Sequence, residues 1–323
     1  MLKELAIIIP AYKESFLRET LYSISNQTVK LFTVYIGNDA SPYNLDKIVN
    51  EFSGIIDIKY KVFEVNFGLN DLVAHWNRCI DMSENEPWIW FFSDDDIMES
   101  NCVELFYKNK NDFSFDNLFH FNVQIIDENS KKIYNCTKYP RHISTSDFFK
   151  MRMNREIESF VVEYIFRRQV FIKLGKFDYF DLAWSADDAA WIKLSNVSGI
   201  RSIEGARVKW RLSKINISSF QDNNDIIIRK LTANIKYLNW VELYFTRNSI
   251  KDYTTKIKKF KWVFRIVLKS KLIEFSKKKE IAYYILESLN YKGIRLNVLC
   301  HILTQIVYDY FHKQTKKILD QLF

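Results

Sequence analysis

Residues 5–10 are apolar and largely β-branched, closed by Pro10, and predict a buried strand. Residues 16–26 carry apolar side chains at 17, 21 and 24, a helical spacing. The alternation continues, with strands predicted over 32–36, 56–62 and 88–92 and helices over 45–52 and 69–82. Repeated strand–helix units predict an α/β domain whose mostly parallel sheet is covered by helices. Further on, 118–123 and 160–166 read as strands, 131–142 as a hairpin or loop, and 189–194 as an amphipathic helix. From residue 225 the pattern turns helical. Ile226, Ile227, Leu231, Ile235 and Leu238 suit one helix, and Ile257, Phe260, Phe264, Val267, Leu268, Leu272 and Phe275 form an apolar stripe with lysines between them.

The strand ends carry the chemistry. In parallel sheets, ligands bind beyond the C-terminal strand ends. Tyr12 follows the first strand, Asn38 and Asp39 the second, and Ser93-Asp94-Asp95-Asp96 the all-apolar run 88–92. Three adjacent carboxylates repel one another, so a folded chain supplies a counter-ion, and a divalent metal holding phosphates is one that fits. The plain alternative is a solvated acidic turn.

Composition adds limits. Gly (7) and Pro (4) are scarce in 323 residues, which argues against a Gly-rich nucleotide loop and against disorder. The four cysteines are far apart and form no CxxC pair, which suits a reducing compartment. The apolar run after Lys3 is too short for a signal peptide, and no stretch reaches the length of a membrane span, so a cytoplasmic location is expected. Of the formal net charge of +8, residues 251–279 alone hold +9, leaving a near-neutral body with one basic segment. A basic amphipathic helix there is consistent with contact with the inner face of an anionic membrane, or with plain packing on the catalytic domain.

Taken in order, several short segments resemble the family 2 glycosyltransferases. They are residues 9–13, 36–41, Asn66-Phe67-Gly68 with Asn77-Arg78, and 92–96. Later come Phe166-Arg167-Arg168, 175–178, Asp187-Asp188, and Trp210-Arg211-Leu212 with Ser218. The resemblance spans about the first 220 residues and implies a GT-A fold. It implies a catalytic domain over 1–222, with a nucleotide-sugar half (1–99) and an acceptor half (100–222), followed by a basic helical region over 223–323.

The resemblance also implies roles. Pro10, Tyr12, Glu14, Asn38, Asp39, Asn66, Arg78, Asp94, Asp95 and Arg211 would hold the donor, most naturally a UDP-sugar. Tyr12 would stack on the base, and Asp39 would accept the uracil N3–H. Asp95, assisted by Asp96, would bind Mn²⁺ or Mg²⁺ bridging the diphosphate. Of the pair Asp187-Asp188, Asp188 would be the general base in an inverting transfer to a glycan or lipid-linked acceptor, in capsule or O-antigen synthesis. An acid at a helix start also serves as a cap. Trp184 and Trp191 flank the pair and suit either sugar stacking or the core. Arg167 and Arg168 are further phosphate candidates.

Three departures stand out. Ser93 and Asn38 replace acids of the common patterns, and Ser213 stands where many members carry a metal-binding histidine. His75 reads as a surface or packed histidine and not as a ligand. A sugar nucleotidyltransferase would need a Gly-rich loop after the first strand, which is absent. A protein binding nucleic acid through the basic segment would leave the aligned carboxylates unexplained, and no nucleic acid is expected.

Overall fold

A computed structural model describes residues 3–216, 223–270, 272–295 and 298. The elements run β1 (Leu5–Ala11), α1 (Leu17–Ser25), β2 (Phe32–Asn38), α2 (Leu45–Asn50), β3 (Ile58–Val62), α3 (Leu72–Ile80), β4 (Trp88–Phe91), β5 (Ile97–Met98), α4 (Cys102–Asp112) and β6 (Leu118–Ile126). They continue with β7 (Lys132–Asn135), β8 (His142–Ile143), α5 (Thr145–Asn154), β9 (Tyr164–Arg167), α6 (Arg168–Lys173), α7 (Ala186–Ser198), β10 (Ile200–Arg211), α8 (Asn224–Arg247), α9 (Lys256–Lys269) and α10 (Phe275–Ser288).

The strands form one sheet in the order β3-β2-β1-β4-β9-β6-β10-β5, with β7 on β6 and β8 on β10. β3, β2, β1 and β4 are parallel, as the alternation predicts. β9 enters antiparallel between β4 and β6, and β10 then runs parallel to β6. Both faces are covered, which is why β1 and β4 at the centre are apolar throughout. Ala6 and Ile8 of β1 point into a core shared with α3 and α5–α10, whereas Leu5, Ile7 and Ile9 point into one shared with α1, α2 and α4.

Three expectations need correction. Of the run 160–166 only residues 164–166 are strand, as the start of β9, and residues 160–163 form a loop. α7 is not amphipathic: from Asp188 to Ser195 every residue is buried. Lys193 is drawn in because its ammonium finds Asp178 and the carbonyls of Leu174 and Lys176. The stripe after 256 is not one helix, since α9 stops before Ser270 and α10 starts after Glu274. Its apolar face is packed, with Phe260, Val263, Phe264 and Val267 fully buried against the rest of the core. The side chain of Phe275, and Ser218, lie outside the described residues. No helix among the described residues is long and apolar enough to cross a membrane.

Candidate active site

The exits of β1, β2, β4 and β10 meet at one rim, beside a cavity of about 720 Å³. Pro10, Tyr12, Asp39 and Asn66 line one end, and Asp187, Asp188 and Trp184 the other, with the three carboxylates of the acidic loop between them. The site is therefore a continuous trough joining residues from both halves of the chain.

At the first end, Tyr12 is 37% exposed, so its ring is free to receive a flat ligand. Asp39 is buried and organises the following loop: Oδ1 accepts from Phe67 N (2.9 Å) and from Arg78, and Oδ2 accepts from Gly68 N (2.7 Å). A Cβ on Gly68 would lie 2.7 Å from Asp39 Oδ2, so only glycine brings its N–H this close. Oδ2 keeps one acceptor position. The buried His75 is neutral, because burial pulls it down to about 4. Its Nδ1 accepts from Arg78 Nε at 3.1 Å, so its 3.2 Å approach to Asp39 is not an ion pair.

Several expected donor contacts are used inside the protein instead. Arg78 lies between the rings of Phe63 and Phe67 while holding Asp39, and does not line the cavity. Asn38 donates to Tyr60 Oη and accepts from Ser41 N, also away from the cavity wall. Arg211 is fully buried: it donates to the carbonyls of Asp95, Asp127 and Glu128 and to Glu19, over the ring of Phe16. It buckles the acidic loop and is not a phosphate ligand. Arg167 and Arg168 bind Asn117 and Glu86, outside the cavity. Glu14 is exposed and does not line it either.

The acidic loop is largely satisfied from within. Asp94 Oδ2 accepts the backbone N–H groups of Tyr12 and Lys13, each at 2.9 Å, and so fixes the β1 exit. Asp96 accepts from Arg211 N (2.7 Å) and Ser93 Oγ (2.6 Å), one on each oxygen, which ties the loop to the end of β10. Burial pushes both carboxyls up, Asp96 the further. Asp95 Oδ2 accepts the ammonium of Lys13 at 2.6 Å, leaving Oδ1. A divalent cation thus fits at one carboxylate, with the remaining oxygens coming from a diphosphate and water, a donor set that Mg²⁺ or Mn²⁺ accepts. Ser213 adds no ligand; its hydroxyl donates to Asn216 Oδ1 at 2.8 Å.

At the other end, Arg152 of α5 grips Asp188 through both oxygens, Nε–Oδ1 at 3.0 Å and Nη2–Oδ2 at 2.8 Å. Asp187 has no such clamp. Burial first, and the adjacent Asp188 charge second, push its carboxyl up from 3.8 to about 7. The preceding turn holds Leu182, Ala183 and Ser185 at φ 59°, 53° and 74°, and all three line the cavity. Non-glycine residues in this left-handed region are strained and gather at functional sites. Trp184 lines the cavity, but Trp191 is core, stacked on Tyr164 at 4.3 Å. Sequence reasoning missed Lys13, Arg152 and Trp262, the last of which brings α9 into the cavity wall. Lys13 falls within residues 9–13, one of the segments that carry the resemblance, whereas Arg152 and Trp262 carry no local signal.

A family model described as Glycosyl transferase family 2 matches residues 6–174. Over 124 residues (37% of the chain) the sequence is 31% identical to Glycosyltransferase GlyA of Streptococcus pneumoniae serotype 4, and the match spans 17% of that relative's length. The fold resembles that of S. aureus TarS 1-349 in complex with UDP-GlcNAc, with TM-score 0.58, 13% identity and 88% of each chain covered. Against the longer S. aureus TarS structure the TM-score is 0.52 at 13% identity, covering 88% of this chain and 53% of that one. At such identity the likeness is one of fold, the GT-A arrangement. With the family model covering more than half of the chain, the chain belongs to glycosyl transferase family 2.

Proposed function

We propose that this glycosyltransferase moves a sugar from a UDP-sugar to a hydroxyl of a glycan or lipid-linked acceptor, with inversion, in the building of a bacterial surface polysaccharide such as capsule or O-antigen. The observation that carries the reading is the trough itself, with Tyr12, Asp39 and Asp95 toward one end and Asp187 toward the other. The TarS complexes with UDP-GlcNAc and UDP support a nucleotide donor for a fold of this kind.

Tyr12 offers its face to the base, and the remaining acceptor position on Asp39 Oδ2 suits the uracil N3–H. Mn²⁺ or Mg²⁺ held by Asp95 and the diphosphate would neutralise the charge of the departing UDP. Asp187 takes the proton from the acceptor hydroxyl as that oxygen attacks the anomeric carbon opposite the diphosphate. The bond to UDP breaks, and the configuration inverts. A carboxylate near 7 is well matched to this task. Asp188 has both oxygens engaged by Arg152 and serves as a fixed negative neighbour. The base role thus passes from Asp188 to Asp187. For the cytoplasmic membrane face, the lysines of 251–279 supply attraction by charge, since the apolar side of α9 is packed.

The test is a panel of nucleotide sugars with diphosphate release as readout, with and without Mn²⁺. UDP-sugars should release UDP, and a panel in which only other nucleotides are turned over would refute the donor assignment.

A further inference from the structure

The acidic loop already holds a cation. Lys13 Nζ sits 2.6 Å from Asp95 Oδ2 and 3.7 Å from Asp94 Oδ1. It also donates to Asn216 Oδ1 at 3.3 Å. The seat is built on both sides. The backbone N–H of Lys13 is fixed by Asp94 Oδ2 at 2.9 Å. Asn216 is fixed in turn by the Ser213 hydroxyl (2.8 Å) and by donating to the Arg211 carbonyl (2.6 Å). Ser213 therefore helps to hold the side chain that supports the ammonium.

The ammonium and a divalent cation compete for the same carboxylate. Placing both against Asp95 brings like charges within a few ångströms, which the nearby acids offset only in part, because Asp94 and Asp96 are engaged by backbone and hydroxyl donors. A diphosphate changes the balance, since its negative oxygens accommodate both cations at once. We propose that Lys13 is a resident counter-ion that makes metal entry conditional on the nucleotide: the metal is taken up with the diphosphate, while Lys13 turns from Asp95 toward a phosphate oxygen. The second half of this inference rests on the nucleotide-sugar reading. The first half, that Lys13 keeps the nucleotide-free loop from taking a metal, does not.

Electron paramagnetic resonance of free Mn²⁺ tests it without reference to turnover. Four proteins are titrated with and without UDP: the natural chain, Lys13→Met, Lys13→Arg and the double variant Lys13→Met/Asp95→Asn. Thermal melts establish that each is folded. Without UDP, Lys13→Met should take up Mn²⁺ roughly tenfold or more tightly than the natural chain, as loss of a contacting positive charge demands even after screening. Lys13→Arg should behave as the natural chain, and the double variant should lose the gain. Equal nucleotide-free affinity in the natural chain and Lys13→Met would overturn the proposal, as would a gain that survives Asp95→Asn. Failure of UDP to bind in every variant would instead refute the nucleotide reading, and the nucleotide-free comparison would still judge Lys13.

Discussion

At the scale of single residues, the two neighbouring aspartates of α7 behave differently because of what each touches. Asp188 is held at both oxygens by Arg152, while Asp187 rises to about 7 through burial and the Asp188 charge. A carboxyl raised from 3.8 to about 7 binds its proton more tightly in the folded state. Its contribution to stability is complete below about 4 and is lost as pH rises through about 7. Asp187→Asn should therefore melt higher than the natural chain at pH 8, with the difference vanishing toward pH 4. The same variant should lose roughly 10²–10⁴-fold in kcat with UDP affinity retained. Turnover of the natural chain should fall as pH drops below about 7, and a flat profile across pH 6–8 would remove Asp187 from the base role. Arg152→Met leaves Asp188 buried without its partner, and denaturant melts should show a loss of about 3–5 kcal/mol.

At the scale of elements, the C-terminal helices belong to the body of the enzyme. Phe260, Val263, Phe264 and Val267 of α9 are fully buried, and each such side chain is worth about 1.5–3 kcal/mol. Phe149 of α5 meets Phe245 of α8 edge-on at 5.3 Å, and Lys259 of α9 lies over the Phe149 ring. Removing residues 250–323 should expose this surface and yield an aggregating or strongly destabilised protein, seen by light scattering and thermal melting. A monomeric fragment with an unchanged melting temperature would contradict the packing argument. Trp262 of α9 lines the cavity at the end that holds Asp187 and Trp184. Trp262→Ala should raise the acceptor KM while leaving UDP affinity unchanged in a binding titration.

At the scale of the molecule, what was legible in the sequence follows from physics that acts locally. The parallel half could be read because β1, β2 and β4 are buried on both faces and lead into polar loops. Tyr12, Asp39 and Asp95 could be placed because strand ends of a parallel sheet converge. The arginines misled, because a guanidinium suits a carbonyl cage as well as a phosphate. Arg211 and Arg78 use their donors on the protein's own loops, which no linear spacing reveals. Arg152 and Trp262 reach the cavity from helices far along the chain, so only the folded arrangement brings them in. The lysine-rich stripe of α9 fits both a membrane-surface helix and a packed one, since amphipathicity marks both. In the proposed function the parallel half builds the donor end, and α5, α7 and α9 supply Arg152, Asp187 and Trp262 toward the acceptor. The most direct measurement of that account is calorimetric titration of UDP into the protein with Mn²⁺ present. Binding should appear for the natural chain, weaken about tenfold or more in Asp95→Ala and persist in Asp187→Asn. UDP that does not bind, or that binds Asp95→Ala as well as the natural chain, would contradict it.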